Sequence, residues 1–182
     1  MRRNLLRAAL AGLLVAAAGC QGRPPIHTVA AVDLPRFMGD WYVIAAIPTF
    51  IEADAYNAVE SYRLDADGSV ATTFTFNQGG FDGPPKKYTP RGFIRDPQSN
   101  AVWSMQFIWP ITSEYRIVYL SEDYSLTVIG RTRRDYAWIM ARQPSIPEED
   151  YRRTVRFLEE QGYDVDKLRR VPHAPTAAKP PS

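Results

Sequence analysis

Residues able to shuttle protons or hold a metal are few in this chain and poorly spaced for either task. Its two histidines, His27 and His173, stand near the two ends, and Cys20 is its single cysteine. A Ser-His-Asp triad or a histidine metal site needs imidazole inside the domain, so the inventory predicts no catalytic residue, no metal and no cofactor. The sequence also lacks Gly-X-Ser-X-Gly and a phosphate-cradling glycine loop. Glu52 with Asp54, and Glu122 with Asp123, bring carboxylates together, but in "EADAY" and "SEDY" they read as solvated loop charges rather than as an acid–base pair. Glu60 and Glu114 fall within strand-like text. An inward carboxylate at either place disfavours a fatty-acid ligand unless a cation compensates it.

The chemistry that the sequence does favour is burial of apolar surface. In Ala101 to Trp109, the residues Trp103, Met105, Phe107 and Trp109 alternate with Ser104 and Gln106. Such alternation needs strands, and the text from Trp41 to Arg142 is almost all strand and turn. Tyr56 to Leu64, Val70 to Asn77, Tyr88 to Arg95, Ala101 to Trp109, Tyr115 to Leu120, Leu126 to Gly130 and Tyr136 to Arg142 follow the opening strand "WYVIAAI", separated by turns such as "DADG", "DPQSN" and "SEDYS". Eight short strands without room for crossover helices predict an all-β fold, an eight-stranded antiparallel up-and-down barrel. "DLPRFMG" before them reads as one helical turn. After them "IPEEDYRRTVRFLEEQG" reads as a helix with acids in its first turn and Gly162 as its stop, packed outside the barrel by a narrow stripe of Tyr151, Val155 and Leu158. "DVDKLRRV" reads as a short extra strand.

The start of the chain is an export signal. Arg2, Arg3 and Arg7 precede the short apolar run "AALAGLLVAAAG", which is too short for a spanning helix. "AAGC" resembles the lipobox of bacterial lipoproteins, which implies lipidation of Cys20 and residues 1–19 as the signal. Residues 20–32 then form a lipidated tether, 33–172 the domain and 173–182 a disordered tail. Removing the signal takes three of the 22 Lys+Arg and none of the 20 Asp+Glu, so the formal charge moves from +2 to −1. Nothing in that balance calls for a nucleic-acid partner. With one cysteine, no disulfide forms within a chain, and the fold must rest on its core.

Three motifs carry a further resemblance. "GDWY" with Gly39 and Trp41, "LSEDY" from Leu120 to Tyr124, and "RDYAWIMARQP" from Arg134 to Pro144 stand in the order and at the separations of the lipocalins. The stretch from about 34 to 172 looks most like the bacterial outer-membrane lipocalins, near the apolipoprotein D group. The resemblance implies that Gly39, Trp41 and Arg142 are structural, with Trp41 plugging the closed end of the barrel and Arg142 lying across its indole. It also implies a lipid carrier rather than an enzyme, lipid-anchored in the outer membrane and facing the periplasm. Gln21, rather than aspartate, after the cysteine fits outer-membrane retention.

Phase taken from Trp41 and Arg142 predicts Val43, Ala45, Trp138 and Met140 as ligand-lining, and the patterns of the other strands add Val59, Phe74, Trp103, Met105, Phe107, Trp109, Tyr115, Ile117, Tyr119 and Val128, with Leu126 beside Val128. An eight-stranded barrel has room for one small ligand. The expected occupant is a fatty acid or a lysophospholipid, its head group near Arg91, Lys86, Lys87 or Arg116. Ala45 and Gly92 argue for space inside, while four tryptophans argue for a filled barrel, which would make the protein an envelope scaffold. A lipocalin-fold enzyme acting on a lipid or isoprenoid is the other alternative, and a homodimer is left open. Ile47, Phe50, Ile51, Trp109 and Ile111 put apolar side chains in the loops at the predicted open end, able to cap the cavity or touch a bilayer.

Overall fold

The computed structural model describes residues 26–174. Asp33 caps a single helical turn, α1 (Leu34–Phe37), its carboxylate accepting from the Arg36 amide at 3.2 Å. Gly39 then takes a φ of +92°, a conformation that side chains disfavour, and swings the chain into the first strand. The strands are β1 (Gly39–Ile47), β2 (Ala55–Leu64), β3 (Ser69–Gln78), β4 (Pro85–Tyr88), β5 (Arg91–Ile94), β6 (Val102–Ile108), β7 (Ile111–Leu120), β8 (Leu126–Gly130) and β9 (Ala137–Ala141). Each pairs antiparallel with its successor, except that β4 and β5 both pair with β3. Pairing of β9 with β1 closes the ring. β4 and β5 are one wall strand interrupted at Thr89–Pro90, where the proline has no amide to donate to the ladder. The result is an eight-stranded antiparallel barrel, a shape without free edges.

The second helix, α2 (Glu148–Glu160), packs outside through Leu158 and Thr154, with Tyr151, Val155 and Phe157 half-buried beside them. Two apolar cores therefore exist. One lies inside the barrel, and the other lies between the wall and α2, built from residues that include Ile44, Ile47, Ile139 and Tyr163. The tyrosine hydroxyl of Tyr163 donates to the Arg131 carbonyl at 3.1 Å and accepts from the Arg131 amide at 2.7 Å.

Past Tyr42, β1 and β2 part, and the seam is filled from the end of the chain. β10 (Arg169–Arg170) pairs with Ala46 and Ala45, and the Val171 amide donates to the Ile44 carbonyl at 2.9 Å. On the other side the Asn57 amide donates to the Pro172 carbonyl at 2.8 Å. His173 belongs to this strap, with Nε2 2.8 Å from the Val43 carbonyl oxygen, so its assignment to a disordered tail is corrected. Ala174 follows it, its amide donating to Asn57 Oδ1 at 2.8 Å. The expected tether is corrected too, since Ile26 and Val32 are buried and the Val29 amide donates to the Ile117 carbonyl at 3.0 Å. Residues 175–182, the signal and Cys20 lie outside the described residues.

Candidate functional site

Directly paired residues in antiparallel strands point to the same face, so the register assigns each side chain. Trp41 faces Glu60, Val43 faces Met140 and Ala46 faces Trp138, all toward the interior. Phe74 stands between Glu60 and Tyr88, Met105 between Gly92 and Ser113, and Trp103 between Ile94 and Tyr115. Ile117 faces Ile129. The barrel thus gathers Val43, Phe74, Trp103, Met105, Tyr115, Ile117, Trp138 and Met140 of the residues expected there, with Ala46, Ala55, Ala58 and Phe76 added.

Several expected lining residues lie elsewhere. A register shift between Val43 and Ala45 inserts one residue, and Ala45 pairs with Ile139 on the face covered by α2. A second shift between Ile117 and Tyr119 turns Tyr119 outward, where its ring lies 5.7 Å from that of Phe157. Val128 pairs with Tyr119 and Ile139, and Leu126 with Ala141, so both face α2 while Thr127 and Ile129 look inward. Val59 pairs with Tyr42 and Thr75 on the outer face, leaving the interior to Ala58, Glu60 and Tyr62. Phe107 and Trp109 stand at the rim, 49% and 81% exposed, and line no enclosed space. Gly92 leaves no opening, because a Cβ there would meet Met105 Sδ at 3.1 Å and Val70 at 3.3 Å.

The closed end is solid. Phe37, Trp41, Tyr62, Trp103 and Tyr115 pack together with ring centroids 5.0–6.2 Å apart, mostly tilted or edge-on, with Trp103 and Tyr115 stacked. Trp41 Nε1 donates to the Phe37 carbonyl at 2.8 Å, and the Arg142 guanidinium lies 3.8 Å from the centre of the indole. Above this floor β1 and β2 contribute small side chains, Val43, Ala46, Ala55 and Ala58, while Phe74, Phe76 and Trp138 still project inward from β3 and β9. A cavity of ≈ 20 Å³ lies beside Val43, Ala46, Ala55, Ala58 and Glu52, under the Arg169–Val171 strap.

Two carboxylates face this interior with no ion pair among the described residues. Glu60 accepts from the Tyr62 hydroxyl, which lies 2.8 Å from that of Tyr115. Burial raises the Glu60 carboxyl to about 7, against the lowering effect of the Tyr62 hydrogen bond. Glu52, buried in the β1–β2 loop, accepts from Trp138 Nε1 at 3.2 Å and from the Thr49 amide at 3.0 Å. Burial raises it as well. Sequence reasoning placed Glu52 in a solvated loop; no local signal distinguishes it from Asp54, which is exposed. Glu114 faces outward, taking hydrogen bonds from Arg116 and Thr132.

Of the cations considered for a head group, Lys86 alone sits on the inner face at the mouth, paired opposite Phe76. Lys87 pairs with outward Thr75, Arg91 turns to Asp67 at the closed end, and Arg116 is held by Glu114.

A family model described as the lipocalin-like domain matches residues 32–173. The chain belongs to the lipocalin family. This lipocalin is 31% identical over 167 residues to temperature-induced lipocalin-1 of Arabidopsis thaliana, covering 83% of this chain and 84% of that one. It is 27% identical over 169 residues to the outer membrane lipoprotein Blc of Escherichia coli, covering 90% and 93%. Apolipoprotein D of Macaca fascicularis is 29% identical over 189 residues, covering 90% and 91%. Kinship at such similar levels to plant, bacterial and animal proteins is kinship with the family as a whole. The lipocalin also shares its fold with insecticyanin of the tobacco hornworm Manduca sexta, with a TM-score of 0.66, 15% identity, and 84% and 86% of the two chains covered.

Proposed function

We propose that this lipocalin carries a lipid, as a lipoprotein anchored through Cys20 in the outer membrane and facing the periplasm. The observation behind the reading is the cavity beside Val43, Ala46, Ala55 and Ala58, above the aromatic floor, in a core that also holds Met105 and Met140, side chains flexible enough to repack around a chain. An acyl chain entering there would gain about 0.8 kcal/mol per buried CH₂. The anchor rests on "AAGC" and on the likeness to Blc, named as an outer membrane lipoprotein.

Of the two expected ligands, a lysophospholipid suits the interior better than a fatty acid. A fatty-acid carboxylate drawn inward would meet Glu52 and Glu60 without a compensating cation. A zwitterionic head resting at the mouth keeps its phosphate by Lys86 and sends only the chain past the carboxylates. Catalysis has little support here, since His27 is exposed and His173 is spent on the Val43 carbonyl.

The tightly packed floor and the small cavity favour a second reading, an envelope scaffold with a filled barrel. Titration of delipidated protein with a fluorescent fatty acid, displaced by lysophospholipid, separates the two. The carrier gives saturable binding near one per chain with lysophospholipid the stronger competitor, and the scaffold binds neither.

A further inference from the structure

The two ends of the barrel differ sharply in what they show to solvent. Among the described residues the exposed large apolar side chains are Phe50, Leu64, Phe81, Phe107, Ile108, Trp109 and Ile111. All but Leu64 stand at the mouth, on the β1–β2 loop, the β3–β4 loop and the β6–β7 hairpin. The hairpin tip is the extreme case, with Ile108, Trp109 and Ile111 each more than 70% exposed. The turns at the closed end are instead charged, with Asp65, Asp67, Asp96, Glu122 and Asp123 beside Arg63, Arg91 and Arg95.

From this asymmetry we infer that the mouth docks on a lipid bilayer, with the β6–β7 hairpin and Phe50 entering the head-group region. Three separate loops present convex apolar tips rather than a groove, a surface that suits a fluid layer better than a shaped protein partner. Trp109 crowns the hairpin, and tryptophan favours the boundary between head groups and acyl chains. Lys86 and Lys87 flank the mouth without an ion pair among the described residues, placed to meet lipid phosphates. The closed end, where Leu64 is the one exposed large apolar side chain among the described residues, offers little to enter a bilayer.

The tether agrees, in an argument that rests on the proposed lipidation of Cys20. Ile26 packs against Gly130, the last residue of β8 before the mouth loop. Six residue steps from Cys20 to Ile26 reach at most about 20 Å. Gly130 pairs with Arg116, and β7 runs only about 17 Å from Arg116 to Ile111 at the mouth. An anchor of that length lets the mouth touch the bilayer, and the apolar residues decide that the mouth, not the floor, does so. A lipid would then pass between bilayer and barrel without crossing water.

The test uses the full lipoprotein reconstituted in vesicles of phosphatidylethanolamine and phosphatidylglycerol doped with a brominated phospholipid. Trp41 and Trp103 are buried and Trp138 half-buried, so quenching reports chiefly on Trp109. Docking predicts that Trp109 emission is quenched, that Trp109→Phe removes the quenchable component, and that Ile108→Asp with Ile111→Asp abolishes quenching. Both isoleucines are exposed, so this double variant keeps the fold, which circular dichroism checks. Quenching that survives the two aspartates reflects tethering alone and overturns the proposal. No quenching overturns it too, as does a Trp109 shielded from aqueous iodide yet untouched by brominated lipid, the signature of a protein partner or a second copy. Lysophospholipid binding by the same sample is a separate readout: its failure removes the carrier reading and leaves the docking result standing.

Discussion

Arg142 lies with its guanidinium 3.8 Å from the centre of the Trp41 indole while donating to the carbonyls of Asp40, Arg36, Phe37 and Met38 at 2.7–3.1 Å. The first and last wall strands are thereby locked to α1 across the barrel floor. Trp41→Ala should cost about 3–5 kcal/mol, as for other large buried aromatics. Arg142→Ala should cost less, and Arg142→Lys nearly as much as Ala, since an ammonium lacks the planar fork that reaches four carbonyls. Denaturant melts of the single and double variants should show coupling of about 1–2 kcal/mol. Additive effects would mean that the pair does not act as one unit.

Glu60 sets a pH dependence whose sign follows from its burial. Unfolded, the carboxyl ionises near its ordinary 4.5; folded, it holds its proton to about 7. The folded state therefore binds more protons between these values, and stability from this group is present below 4.5 and lost as pH rises to 7. The loss is roughly 3 kcal/mol, from about 1.4 kcal/mol per pH unit. Glu60→Gln should flatten that slope and make the protein more stable than wild type at pH 8. An unchanged slope in urea melts across pH 5–8 would place Glu60 in solvent.

Most of the architecture was legible because strand, turn and helix each carry a local signal. The alternation of Trp103 and Met105 with Ser104 and Gln106 marks β6, and the acids of Glu148–Asp150 mark the start of α2. Facing was legible only where one side of a strand is polar. In β8 every residue of Leu126–Gly130 is buried, because α2 covers the outer face, so no period of two survives. In β1 the bulge falls at Ile44, just before two alanines, and nothing in Ala45-Ala46 tells which one looks inward. The carboxylate at Glu52 was hidden for another reason: its partner, Trp138, is 86 residues away.

The strap between β1 and β2 should behave as a removable piece of wall. Ending the chain at Leu168 strips the Asn57 amide and the Ile44 and Val43 carbonyls of their partners. Hydrogen exchange at Asn57 should accelerate at least tenfold, while amides in β6 and β7 stay protected. Burial also lowers the His173 pKa from its ordinary 6.5, so below that value the detached strap takes up a proton more readily and its hold weakens. Exchange at Asn57 that ignores both the truncation and acid pH would remove the strap from the wall.

Lipidation makes a simple chemical prediction. Cells fed labelled palmitate should incorporate label into the wild-type protein and not into Cys20→Ser. More than one acyl chain is needed for firm anchoring, so the mature N-terminal peptide should carry several by mass. An unlabelled wild type would withdraw the anchor.

The claim that the barrel interior receives a lipid chain meets its most direct test at Ala46, which faces Trp138 beside the small cavity. Delipidated wild type and Ala46→Trp are titrated with a fluorescent lysophospholipid, and their melting temperatures are compared. The carrier account predicts binding near one per chain in the wild type. In Ala46→Trp it predicts loss of binding with little change in melting, because the side chains that part for an acyl chain part for the indole instead. A filled barrel would instead be overpacked, at typically about 1–3 kcal/mol. A wild type that binds nothing, or an Ala46→Trp protein that binds as before or melts many degrees lower, would contradict the account.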